Sequence, residues 1–249
     1  MEAPVGPVRR PSLGPDFARR RLSVFYPEND NLSLERNAGP MTKEVLEERI
    51  DAFWEWFVEY EATILEFFDE DSHVDKNALI EEINNQVLDF GMFSWEIGPG
   101  KSRKYYLTIS PNGKPEQLER SRKIMAAAPD LPDWEFHHAK PAKAWNLQFT
   151  IYDDFMREQL IDASEWQFAL VARPGHQVDI FLQAGNIDFL DADTRATAGD
   201  LVVTNLLGEE RKINYVRRIE VLSANEEPQR AADQPIGRLK EQLEAMVNG

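Results

Sequence analysis

The chain has 249 residues, with 28 Lys and Arg against 44 Asp and Glu, so its formal net charge is −16. A charge of that sign repels a phosphate backbone, and no apolar stretch approaches the roughly 18 residues of a membrane span, so we expect neither nucleic-acid nor membrane binding. There is no Cys, which excludes disulfides, thiolate nucleophiles and Cys-based metal sites and favours a cytoplasmic location.

Residues 1–40 differ in composition from the rest of the chain. They contain six Pro, and all six of their basic residues are Arg. The prolines interrupt any regular element, and there is no apolar segment of the kind found in a secretory signal. We therefore predict a disordered N-terminal extension over residues 1–40. The alternative is a short strand around residues 22–26 that docks on the body of the protein.

A heptad pattern predicts a long first helix with Thr42 as its N-cap. Thr42 can accept a hydrogen bond from one of the first free amides. Hydrophobic side chains then recur at alternating spacings of four and three residues, as in helices that pack against other helices. This seam consists of Leu46, Ile50, Phe53, Phe57, Tyr60, Ile64 and Phe67. We expect it to pack within the chain; the alternative is self-association of two copies into a coiled-coil homodimer.

Most of the negative charge belongs to residues 41–90, which contain three bases and fifteen acids, a net charge of −12. Two interpretations are open. One is a solvated helical face that serves solubility, and the other is an acidic docking surface for a protein partner with a basic surface. The candidate binding residues on this helix are Glu47, Glu48, Asp51 and Glu55.

A second helix is predicted to begin at Asp75, its N-cap, and to end at Gly91. Because the link between the two helices is short, residues 41–91 should form an acidic, antiparallel helical hairpin. After residue 91 the pattern changes to short runs bounded by turns, which is typical of strands. Strands are predicted at 93–97, 105–110, 134–138, 147–152, 166–171, 177–182 and 215–222.

Helices interrupt these strands at two places. Pro115 suits the first position of a helix that ends before Pro129, and Asp193 or Thr194 can cap another that ends near Leu207. Strands grouped with few crossover helices predict an α+β fold, with the N-terminal helical hairpin followed by a largely antiparallel sheet that has helices on one face. The predicted segments are the extension 1–40, the hairpin 41–91, the sheet domain 92–222, and a linker with a C-terminal helix over 223–249.

None of the motifs that carry common chemistry is complete. Residues 98–102 lack the earlier Gly of a phosphate-binding loop and continue as a strand instead of a helix. There is no Gly-x-Ser-x-Gly elbow and no His-Glu-x-x-His. His137 and His138 are adjacent on a strand and point to opposite faces, so they cannot easily share a metal ion. We predict no catalytic residue, no metal site and no cofactor.

A basic segment with an aromatic residue is the least ordinary feature of the sheet domain. Lys140 and Lys143 lie near His137 and Trp145, after several basic residues between positions 103 and 123. Such a segment could bind an anion or an acidic partner, or it could pair with the acidic first helix of the same molecule. We expect the internal pairing.

Four short blocks carry a resemblance. They are Ala-Ala-Ala-Pro at 126–129, Trp-Glu-Phe at 134–136, Lys-Pro at 140–141 and Leu-Leu-Gly-Glu at 206–209. Together they resemble blocks of an uncharacterised family of bacterial α+β proteins without a settled activity. The resemblance extends from about residue 93 to residue 222 and implies a bacterial, intracellular α+β domain with no catalytic residue.

Two classes of function follow from these observations. We favour a non-enzymatic binding protein of the immunity or adaptor type that uses the acidic helical face, because the chain is strongly acidic, rich in Trp and without a recognisable catalytic constellation. The alternative is an enzyme or small-molecule binder with a site on the sheet near His137, Lys140 and Trp145.

Overall fold

The computed structural model describes residues 22–24, 42–68, 73–223 and 232–248. Within these ranges, no helix is both long enough and apolar enough to cross a membrane. Of residues 1–40, only Leu22–Val24 is described, and it forms a strand, which is the second of the two alternatives for this segment. The rest of the predicted extension, the link at 69–72 and residues 224–231 of the predicted linker lie outside the described residues.

The described chain contains six α-helices and ten β-strands. The helices are α1 (Lys43–Glu66), α2 (Lys76–Leu88), α3 (Pro115–Ala126), α4 (Ala192–Leu207), α5 (Glu209–Tyr215) and α6 (Leu239–Asn248). The strands are β1 (Leu22–Val24), β2 (Ser94–Pro99), β3 (Tyr105–Ser110), β4 (Trp134–His137), β5 (Gln148–Tyr152), β6 (Glu158–Asp162), β7 (Gln167–Arg173), β8 (Gln177–Gln183), β9 (Val216–Leu222) and β10 (Gln234–Pro235). The sequence pattern predicted neither α5 nor β6 nor β10.

The fold is α+β, as predicted, but its strands form three sheets where one was expected. The strand orders are β1-β2-β3-β4, β10-β7-β8-β9, and a two-stranded ribbon of β5 and β6. β7 and β8 form the predicted antiparallel hairpin, whereas β8 and β9 are parallel. The physical reason is that α4 and α5 lie between β8 and β9, and a crossover of that length returns the chain to the same end of the sheet.

The chain divides into two compact units, Met1–Thr108 with Ala127–Phe136, and Ile109–Ala126 with His137–Gly249. The predicted boundaries near residues 91 and 222 fall inside these units. The segments 41–91 and 92–222 therefore stay predictions as domains.

In the first unit, α1 and α2 pack in antiparallel directions. Phe53 of α1 lies 5.3 Å from the ring of Phe90, which follows α2, and Lys76 Nζ at the start of α2 lies 4.9 Å from the ring of Phe67, which follows α1. Because most of the heptad seam is buried within the chain, it is not available for a coiled coil with a second copy. The buried seam residues are Leu46, Ile50, Phe53, Phe57 and Ile64.

Local capping chemistry sets where three helices begin. Thr42 caps α1 and Asp75 caps α2, as predicted. The predicted cap of α4 at Asp193 or Thr194 is wrong, because Asp191 has the extended backbone of a cap and its carboxylate accepts the Thr194 amide at 2.9 Å. Asp193 lies within the first turn of the helix instead.

The second unit builds its core from one face of the β10-β7-β8-β9 sheet together with α4 and α6. Alternate residues of β8, namely Val178, Ile180 and Leu182, are buried in this core. Ile151 of β5 and Ile161 of β6 belong to the same core. The two-stranded ribbon is therefore anchored to the unit through one of its two faces.

Asp179 is almost fully buried and lies on the other face of β8, between two arginines. Its carboxylate accepts hydrogen bonds from Arg217 Nη2 at 2.6 Å and from Arg173 Nε at 2.7 Å. These hydrogen bonds lower the pKa of Asp179 from an ordinary 3.8 to about 2, and the bond from Arg217 has the larger effect. Burial opposes the shift. Asp179 therefore stays ionised to unusually low pH.

We expect Asp179 to make the free energy of unfolding depend on pH in the acid range. Because its folded-state pKa is depressed, the stabilisation is present above an ordinary pKa of 3.8 and is lost as the pH falls toward about 2. Asp179→Asn should be less stable than the wild type at neutral pH, and the difference should shrink as the pH approaches 2. Urea unfolding of both proteins over a pH series measures this difference. A difference that stays constant over the series would contradict the prediction.

Candidate functional site

Four predicted binding residues share the exposed side of α1. Glu47, Glu48, Asp51 and Glu55 are all exposed, and their spacing places them on one face of the helix. Glu47 Oε1 lies 3.6 Å from Lys43 Nζ, an exposed pair of the kind that contributes little to stability. The other side of α1 is buried in the aromatic core. We call these four residues the acidic face of α1.

One apolar side chain lies within this face. Val58 is about half exposed and follows Glu55 by three positions, so it shares the acidic face. At the border of the buried side of α1, Tyr60 stacks on Trp56 with ring centroids 5.2 Å apart. The indole Nε1 of Trp56 is buried and has no hydrogen-bond partner among the described residues.

In the predicted basic site, the backbone amides of Lys140 and Lys143 form hydrogen bonds to α5 and α4. The amide of Lys140 donates to a carboxylate of α5 at 3.0 Å, and the amide of Lys143 donates to a carbonyl of α4 at 2.7 Å. Trp145 is half-buried and packs against the core of the second unit. His137 is half-buried at the end of β4. As a binding site, these four residues stay a prediction.

Two of the basic residues that precede this site have acidic partners outside α1. Arg103 Nη1 lies 3.2 Å from Asp130 Oδ1, and Arg122 forms ion pairs with Glu119 and Glu210. The expected pairing with the acidic first helix is therefore wrong for these two arginines.

Glu209 is a buried, fully hydrogen-bonded carboxylate that no local sequence signal identified. It is buried, and its carboxylate accepts the Ser110 hydroxyl at 2.8 Å, the Gly113 amide at 3.0 Å and the Lys140 amide at 3.0 Å. Its own amide donates to the Lys140 carbonyl at 2.8 Å. The preceding Gly208 has a φ of 82°, which favours glycine at the junction of α4 and α5. One carboxylate thus ties together three segments that are distant in sequence.

Glu210 joins the two other titratable groups of this region. His138 Nε2 lies 3.0 Å from Glu210 Oε2, and Arg122 binds the second carboxylate oxygen. The hydrogen bonds from Arg122 and His138 lower the pKa of Glu210, and the bond from Arg122 has the larger effect. Burial acts in the opposite direction. His138, the neighbour of the predicted site residue His137, therefore has a carboxylate partner. Because Glu210 is shared by two donors, we assign this cluster a structural role.

The glycine-rich loop at residues 98–102 has the arrangement expected of a turn. The amide of Arg103 donates to Glu135 Oε1 at 2.7 Å, and the amide of Ser102 contacts the same oxygen. A carboxylate of the protein itself thus occupies the amides that a phosphate would need.

No group of three or more His, Asp or Glu side chains in the described part of the chain is arranged to hold a metal ion. Comparison of the chain with protein-family models, with curated proteins and with solved structures found no match. The resemblance to a bacterial family therefore stays a prediction, and the argument for function depends on the geometry of this chain.

Proposed function

We propose that the chain is a non-enzymatic protein-binding module of the immunity or adaptor type, and that the acidic face of α1 docks a partner with a basic surface. The supporting observation is the exposure of four carboxylates along one face of a helix whose opposite side is fixed in the core. Attraction between opposite charges accelerates encounter, and the exposed Val58 adds apolar contact area.

A solvated helical face is the competing explanation for exposed carboxylates. Two features favour docking over solvation. Val58 is an exposed apolar side chain among the four carboxylates, so it adds contact area to the acidic face. In addition, Arg49, a basic residue of α1, donates to the Asp89 carbonyl and so is directed away from the acidic face.

The experiment compares three forms of the full chain by affinity capture from lysate of cells that express it. The test variant neutralises the acidic face with Glu47→Gln, Glu48→Gln, Asp51→Asn and Glu55→Gln. The control variant makes the same change of charge at four other exposed carboxylates, with Glu81→Gln, Asp89→Asn, Glu116→Gln and Asp133→Asn. All three forms should be equally stable, because exposed substitutions usually change stability by no more than about 0.5 kcal/mol.

We expect the wild type and the control to retain a protein with a basic surface that the test variant loses. Once that protein is purified, its rate of association with the test variant should be about tenfold lower than with the wild type. Its rate of association with the wild type should fall as the salt concentration rises. If all three forms capture the same proteins, or if the association rate changes with neither salt nor neutralisation, α1 is only a solvated scaffold.

One observation favours the alternative of a small-molecule site near His137, Lys140 and Trp145. The indole Nε1 of Trp145 is buried and has no hydrogen-bond acceptor among the described residues. A bound ligand with a suitable oxygen would satisfy this donor. Native mass spectrometry of the purified wild type and of Trp145→Phe tests the alternative. A metabolite that only the wild type retains would support it, and ligand-free protein in both samples would argue against it.

A further inference from the structure

The ribbon of β5 and β6 has one buried face and one exposed face. Ile151, which pairs with Gln159, and Ile161, which pairs with Phe149, belong to the core of the second unit. The alternate residues point outward, so Tyr152 and Leu160 share the exposed face. The exposed face is therefore held in a fixed position by the buried one.

Four large apolar side chains are displayed on this hairpin. Tyr152 is 57% exposed, Phe155 70%, Met156 77% and Leu160 77%. Single exposed apolar residues are ordinary on protein surfaces, but four on one hairpin form an apolar patch of the kind that marks interaction sites. We call these four residues the hairpin patch.

The turn that carries Phe155 and Met156 is held rigidly by one carboxylate. Asp153 is buried and accepts the amides of Phe155 at 3.0 Å and Arg157 at 2.9 Å, and it also accepts the side chains of Arg157 at 2.8 Å and Gln159 at 3.1 Å. Burial acts against ionisation, but these bonds prevail and lower the pKa of Asp153 to about 2. The exposed side chains of Phe155 and Met156 are therefore presented on an ordered turn, which reduces the entropy cost of binding.

Met156 has an unfavourable backbone conformation for its residue type. Its φ is 58°, in the left-handed region that favours glycine, and its side chain is nevertheless almost fully exposed. A residue that is strained and buries little contributes little to folding, and such residues concentrate at functional sites. A glycine here would relieve the strain, so the methionine side chain is the feature that calls for a functional explanation.

The charges around the hairpin patch are mostly negative. Asp154, Glu158 and Asp162 are exposed on the hairpin, and Glu158 lies directly opposite Tyr152. A hydrogen bond from Ser164 lowers the pKa of Asp162, which keeps this carboxylate ionised. The guanidinium of Arg157 is bound to Asp153 and lies 4.8 Å from the centroid of the Phe155 ring, so its charge is offset by that carboxylate. The exposed charges around the apolar side chains are therefore negative on balance.

An open cleft of about 370 Å³ begins where the hairpin ends, with Asp162 and Glu165 among its lining residues. The cleft is otherwise lined by hydroxyl and amide side chains, including Ser164 and Gln183, and by Trp166. Two carboxylates beside hydrogen-bond acceptors suit the head group of a Lys or Arg side chain.

We propose that the hairpin patch is a docking site for a basic, apolar segment of a partner protein. The apolar side chains of this partner segment would cover the hairpin patch. Its Lys or Arg side chains would pair with the surrounding carboxylates and with those of the cleft. A second copy of this chain and an anionic membrane are the alternative occupants of the patch. Both are disfavoured because they are negative, the chain with a net charge of −16. This site lies in the second unit and does not depend on the proposal for α1.

A phage library of random peptides is a suitable probe, selected on the immobilised full chain. We expect the enriched peptides to combine Lys or Arg with aromatic or aliphatic residues. Binding of the best peptide should weaken at least about tenfold with Phe155→Ser, because one central aromatic side chain often dominates an interface. Phe189→Ser is the matched control, since Phe189 is also 65% exposed but lies outside the hairpin, and it should bind as the wild type does.

Met156→Gly separates a binding role from a folding role. It should leave the melting temperature unchanged or raise it, because glycine accepts the positive φ, and it should weaken peptide binding. Unchanged binding with Phe155→Ser, or enriched peptides without net positive charge, would overturn the proposal. Self-association of the chain, or binding to vesicles that contain phosphatidylserine, would also overturn it if Phe155→Ser abolished that association.

Discussion

Replacing Glu209 by Ala is expected to lower the free energy of unfolding by about 3–5 kcal/mol. The carboxylate is buried and accepts three donors, the Ser110 hydroxyl and the amides of Gly113 and Lys140. Its removal leaves the buried Ser110 hydroxyl and the two less buried amides without this acceptor, and an unsatisfied buried group costs about 1–3 kcal/mol. Urea unfolding followed by circular dichroism measures the change.

The neighbouring Glu210 is the matched control for this prediction. It has the same charge and the next position in the chain, but its ion pairs with Arg122 and His138 are more than a third exposed. Solvent-exposed pairs are worth at most about 1 kcal/mol, so Glu210→Ala should be much milder than Glu209→Ala. Equal effects of the two substitutions would show that the buried cluster does not hold its three segments together.

Phe57→Ala is expected to lower the free energy of unfolding by about 3–5 kcal/mol. Phe57 is 1% exposed at the centre of the heptad seam, and its ring centroid lies 4.9 Å from that of Trp134 and 5.6 Å from that of Trp54. The substitution removes buried apolar surface and leaves a cavity among rigid rings that cannot easily collapse.

Val58→Ala provides the comparison on the other side of the same helix. Val58 is 48% exposed, so its truncation should change stability by no more than about 0.5 kcal/mol. Urea titration of the wild type and both variants separates the buried side of α1 from the exposed one. A small effect of Phe57→Ala would mean that the aromatic core of the first unit is not packed as described.

Local sequence signals determined the parts of the fold that depend on neighbouring residues. The heptad seam of α1, the caps Thr42 and Asp75, and the hairpin of β7 and β8 were all predictable. Each depends on residues within a few positions, because helical periodicity, capping hydrogen bonds and tight turns are local interactions. The α+β class followed from the order of these elements.

The strand β6 was missed although its partner β5 was predicted. Leu160 and Ile161 are adjacent apolar residues, which breaks the alternation that identifies a strand with one buried face. Ile161 enters the core, whereas Leu160 is exposed in the hairpin patch, and no local signal distinguishes the two. The candidate docking site was hidden for the same reason, since exposure is a property of the folded chain.

Tertiary structure alone decided how the strands divide into sheets and which acids become buried. The parallel pairing of β8 with β9 depends on the path of α4 and α5, and not on the composition of either strand. Glu209 and Glu210 are identical in type and adjacent in sequence, yet Glu209 is buried against Ser110, 99 positions away, and Glu210 is partly exposed. The chain therefore encodes its helices and turns locally, whereas the roles of its carboxylates arise from contacts that exist only after distant segments have packed together.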